Sequence, residues 1–159
     1  MTAVYIHLVL CHIPIVLVPL AVGIVVAGLL LKKISIRRVG YSLFFLAGLI
    51  AIPVFLTGEP AEEQIEHIPT VLEYRIKAHE EMAEISVWAS TLLGFFALGL
   101  FLLGEKKLEK KGSFLIILIG IIVSGQLAYT GNLGGKIRHT EIAGNALPEQ
   151  QSSQGLDKE

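Results

Sequence analysis

Four long apolar stretches divide the chain, and the polar residues between them are sorted by charge. The stretches run from about Leu8 to Leu31, Tyr41 to Leu56, Ile85 to Leu103 and Phe114 to Tyr129. A helix needs about 20 apolar residues to cross the hydrocarbon of a bilayer. The pattern predicts an all-α polytopic membrane protein, a four-transmembrane-helix bundle, over residues 1–142. Residues 143–159 are polar and rich in Gln and Ser, and a disordered tail is expected there.

Charge gives the bundle a direction. Lys32, Lys33, Arg37 and Arg38 separate the first two spans; Lys106, Lys107, Lys110 and Lys111, with Glu105 and Glu109, separate the last two. Those two short loops hold eight of the 13 basic residues. By the positive-inside rule their face is cytoplasmic. Both termini and the 57–84 connection then lie on the outer side, periplasmic in a bacterial inner membrane. That connection is acidic, with eight of the 14 carboxylates against Arg75 and Lys77.

The overall composition agrees: 53% of the 159 residues are hydrophobic, and mean hydropathy is +0.66. The first stretch lacks the basic lead and small-residue cleavage pattern of a signal peptide, so it reads as a retained helix. Pro14 is tolerable near its start, whereas Pro19 and Pro53 are expected to kink their helices. In the outer connection, Glu59-Pro60-Ala61-Glu62 reads as a helix start, ending before Pro69. Thr70-Val71-Leu72-Glu73 matches a capping box, so the third helix is expected to begin at Thr70 and project about three turns above the membrane. The single Cys11 excludes an internal disulfide and a thiolate zinc cluster.

All five histidines, His7, His12, His67, His79 and His139, fall on the predicted outer side. Each alone reads as an interfacial side chain reaching water. Together they point to chemistry, because imidazole binds metals and carries protons, and ionisable groups at membrane depth are costly. His12 in the first span and His79 above the third are expected at similar depth, where they could clamp a haem iron or share a metal ion. His7 is five residues from His12, about 140° around a helix, so it serves a different partner; His139 is the expected one. His67 follows Glu63 by four residues and fits surface pairing. Glu80, Glu81 and Glu84 read as a solvated face, with Glu84 the deepest.

Below His79, helical spacing gives Ala83, Ser86, Ser90, Gly94 and Ala97. This small-residue stripe suits either a groove for a flat ligand or close helix packing. Gly120-x3-Ser124 in the fourth span fits packing too. Beyond that span, Gly131, Gly134 and Gly135 allow a tight backbone path with positive φ. Lys136 and Arg138 beside His139 suit carboxylates such as haem propionates, as does Arg75. No Walker loop, dinucleotide fingerprint, His-Glu-x-x-His or nucleophilic triad occurs, and the acidic outer surface argues against nucleic acid.

His7-x4-His12-x-Pro14 opening the first span, Thr57-Gly58 closing the second and His79 entering the third resemble a bacterial family of predicted four-helix inner-membrane proteins, a domain of unknown function. The stretch from Asn132 to Ile142 is similar to a subgroup ending Gly-Gly-x-Ile-Arg-His-x-Glu-Ile. The resemblance covers roughly residues 5–142 and implies a fold and a histidine-lined outer face, with no established activity.

The expected function is a haem b-binding, cytochrome-like electron-transfer protein with one or two haems. Candidate ligands are His7, His12, His79 and His139, with Arg138 and Lys136 on the propionates; His12 pairs with His79 and His7 with His139. Small b-type cytochromes stack histidines to carry haems at both faces. Here they lie at one face, so a redox partner protein or a quinone is implied. The alternatives are a copper, zinc or iron site on the same histidines, or a structural subunit of a larger respiratory complex. A homo-oligomer also fits the sequence.

Overall fold

A computed structural model describes residues 2–68, 72–104 and 107–138 of the chain. Its elements are α1 (Ala3–Leu30), α2 (Ile34–Leu56), α3 (Gly58–Glu62), α4 (Glu73–Leu103) and α5 (Lys107–Arg138). All but α3 are long and apolar enough to cross a membrane. α1 has 28 residues and α5 has 32. At about 1.5 Å per residue both exceed the roughly 30 Å of hydrocarbon, so their ends stand in the interfaces.

Local chemistry sets the helix ends. The Thr2 hydroxyl accepts the Tyr5 N–H at 3.4 Å and caps α1. α1 then runs through Pro14 and Pro19 without a break. It ends where Lys32 takes a left-handed φ of 55°, and the Lys33 N–H returns to the Gly28 carbonyl at 2.9 Å. α4 stops at Gly104, whose φ of 67° favours glycine.

Two expected features differ. α4 begins at Glu73, with Leu72 as a cap that makes no side-chain bond; Pro69, Thr70 and Val71 lie outside the described residues, as does the 143–159 tail. The glycines expected to form a tight path with positive φ are instead helical, because α5 continues through Gly131, Gly134 and Gly135 to Arg138.

The four long helices form a ring in the order α1, α2, α4, α5, with α1 and α4 on the diagonal, and α3 packs on α1 and α2. Val18, Val25, Phe44, Ala97, Ile116 and Val123 are among the residues filling the centre. Leu20, Leu46, Trp88, Leu92, Leu118 and Ile122 face outward and exposed. Water would penalise such a surface, whereas lipid accepts it.

The small-residue stripe is packing, not a groove. A Cβ on Gly48 would lie 2.7 Å from the Ser90 carbonyl oxygen and 3.3 Å from the Gly94 Cα, so α2 and α4 cross nearly backbone to backbone. Ser86 Oγ bonds Thr130 Oγ1 at 2.9 Å, which seals the stripe against α5. Gly120 likewise admits Phe44 and Val22.

The basic end is tied by an ion pair. Arg37 Nε and Nη2 donate to the two Glu109 carboxylate oxygens at 2.8 and 2.9 Å. Tyr41 Oη donates to the same carboxylate at 2.6 Å, and Ser113 Oγ sits 2.7 Å from Tyr41 Oη. Glu109 is only 1% exposed. This network joins α2 to α5, and Arg37 Nη1 reaches the Gly28 carbonyl of α1 at 3.5 Å.

Candidate functional site

His7 and His79 meet at the acidic end of the bundle. His7 lies in the second turn of α1 and His79 in the second turn of α4. Their ring centres are 6.4 Å apart, with planes at 88°. Both side chains are half-buried.

Each imidazole is oriented by backbone. His7 Nδ1 lies 3.1 Å from the Val54 carbonyl oxygen, one of the last carbonyls of α2, which have no helical N–H to accept. Thr57 Oγ1 stands 3.2 Å from the same nitrogen and donates to the Val54 carbonyl at 2.8 Å. His79 Nδ1 lies 3.0 Å from the Thr130 carbonyl oxygen. A carbonyl only accepts, so Nδ1 carries the proton in both rings. In the neutral ring Nε2 then keeps its lone pair, the state in which histidine binds a metal.

Glycine borders both rings and leaves room for that of His79. A Cβ on Gly134 would lie 3.1 Å from His79 Cε1, so the ring rests against a bare helix backbone. Gly58 borders His7 Cε1, where an added Cβ would come within 3.8 Å. Thr57-Gly58 and Gly134 thus each support one imidazole.

The expected pairing of His12 with His79 is not the one found. His12 is exposed, and its Nδ1 bonds the Leu8 carbonyl of its own helix. The 140° between His7 and His12 does separate them, but His7 is the inward one. His139 lies outside the described residues, as does the side chain of Arg138, so neither takes part in the described geometry. Lys136 is half-buried, and its carbonyl accepts Arg75 Nη1 at 2.8 Å. Arg75 is buried one turn above His79 and packs over the Tyr74 ring. His67 is exposed beside Glu66, 3.4 Å away, rather than Glu63. Glu80, Glu81 and Glu84 all face outward. Among the described residues no group of three His, Cys, Asp or Glu converges on a metal position.

The model of a family described as "Predicted membrane protein (DUF2231)" matches residues 3–145. The chain belongs to this family. No curated protein and no solved structure matches it. The DUF2231 match spans all four long helices, including both histidines of the pair and the threonine and glycines that support them.

The rim of the site is acidic. The Glu62 carboxyl is pushed above its usual range, first by burial and then by the charges of Glu80, Glu66, Glu59 and Glu73. Carboxylates from α3, α4 and the turn between them thus crowd one end of this DUF2231 bundle.

Proposed function

We propose that this chain is a haem b-binding electron-transfer protein of the bacterial inner membrane, in which His7 and His79 would hold the haem iron at the periplasmic face. The 6.4 Å separation of two imidazoles, each oriented through Nδ1, carries the reading. With metal–nitrogen bonds of about 2 Å, imidazoles on opposite sides of one ion have ring centres about 6 Å apart, and around a tetrahedral ion about 5 Å. Two imidazoles at this distance could hold one metal centre between them. Haem iron also needs only two protein ligands, since porphyrin supplies four.

Arg75 and Lys136, near His79, would be the cations to hold propionates, with Arg138 a third candidate from the sequence. The haem would supply one-electron redox chemistry. The chain's part is to fix both ring tautomers through the Val54 and Thr130 carbonyls. The acidic rim would favour a redox partner with a basic surface. The periplasmic orientation rests on the lysines and arginines at the opposite end.

The test is the visible spectrum of the purified protein, oxidised and dithionite-reduced, with a pyridine haemochrome assay. Reduced α and Soret bands are expected at one haem per chain. His7→Ala and His79→Ala should each lose them, and His12→Ala should keep them. A colourless protein from a host supplied with haem precursors would overturn the reading, and stoichiometric metal without porphyrin would establish an ion site instead.

A further inference from the structure

Arg37 and Arg38 are neighbours in sequence with opposite fates. Arg37 is neutralised by Glu109 inside the bundle. Arg38 points toward α4, its guanidinium 5.5 Å from the centre of the Phe101 ring. Among the described residues its buried Nε has no hydrogen-bond partner. A cation held over an aromatic face can still present its Nη groups to an anion, although Nε is buried.

Directly beneath it, α2 and α4 part to leave a groove of about 100 Å³, lined by Tyr41, Ser42, Phe45, Leu98 and Phe101. The lining is almost entirely apolar. Ser42 and Phe101 of its lining are exposed, so the groove opens on the outside of the bundle, about one turn from Arg38. Exposed Lys32 and Lys33 stand at the same end.

We propose that this groove is a binding site for one anionic phospholipid. The headgroup phosphate accepts from Arg38 at the interface. One acyl chain lies along Phe45, Leu98 and Phe101. Basic pockets between membrane helices recognise anionic headgroups by this combination of cation and apolar trough. The site lies at the opposite end from the histidine pair and is independent of the haem reading.

Native mass spectrometry of the detergent-solubilised protein tests this. Phosphatidylglycerol, phosphatidylcholine or inorganic phosphate would be added in separate titrations. A single retained adduct is expected with phosphatidylglycerol, and none with inorganic phosphate or phosphatidylcholine. Arg38→Gln should lower occupancy about fivefold, the worth of one interfacial cation. Leu98→Trp, which fills the trough and leaves the charge, should lower it as well. Lys33→Gln should leave it within twofold, by the same reckoning of a more distant charge. Equal loss in Lys33→Gln would mean diffuse attraction to the basic end and overturn the site. So would unchanged occupancy in Arg38→Gln, or equal retention of phosphatidylcholine. Thermal melting of each variant separates loss of the lipid from loss of the fold.

Discussion

Gly134 shows how one missing atom positions a functional side chain. The His79 ring, bonded to the Thr130 carbonyl, lies where a Cβ on Gly134 would crowd it at 3.1 Å. Gly134→Val should push the imidazole away and remove the haem bands, whereas Gly135→Ala, with nothing within 4 Å of the added carbon, should keep them. Absorbance per protein would check this, and equal loss in both would dismiss the positioning role. Ser90 offers the opposite case. It is buried and, among the described residues, its hydroxyl has no partner, so Ser90→Ala should melt no lower than wild type, because no bond is lost. At this scale the sequence pointed to both His7 and His79 as candidates but did not pair them. Helical phase separates His7 from His12 without saying which faces inward. That depends on where the end of α2 offers a free carbonyl, a tertiary fact.

The elements at the basic end carry a charge arrangement that sequence reasoning assigned to loops. Arg37 and Glu109 read as members of two charged runs, yet they form a buried bidentate pair between α2 and α5. Removing one partner strands the other: Glu109→Ala should cost about 3–5 kcal/mol. The double variant Arg37→Met/Glu109→Leu should be less destabilised than either single change. Unfolding in mixed micelles would measure all four variants, and additive losses would refute the coupling. The signal was present as Glu109 flanked by lysines with Ser113 a turn later, but only the packing of α5 on α2 reveals it. The glycines after the fourth apolar stretch misled for a related reason. Alone they suit a turn, but here they let α5 continue close against Ile15 of α1 and His79 of α4.

The whole molecule is an apolar bundle with an acidic end and a basic end. Four spans and all-α architecture were legible because lipid demands long uninterrupted apolar helices. The orientation has a direct test in a Cys11→Ser background. A membrane-impermeant thiol reagent on intact cells should label Glu66→Cys and not Lys110→Cys. The reverse pattern would place the histidine pair in the cytoplasm. The ring order has a consequence in time. His7 leaves the ribosome about seventy residues before His79, and the two helices that carry them stand on the diagonal. Arg37 likewise waits for Glu109 on the last helix. Neither end of the bundle can close until the later spans have been inserted, so any cofactor clamped by the two imidazoles is loaded after the chain is largely made, and its capture reports that membrane insertion has succeeded.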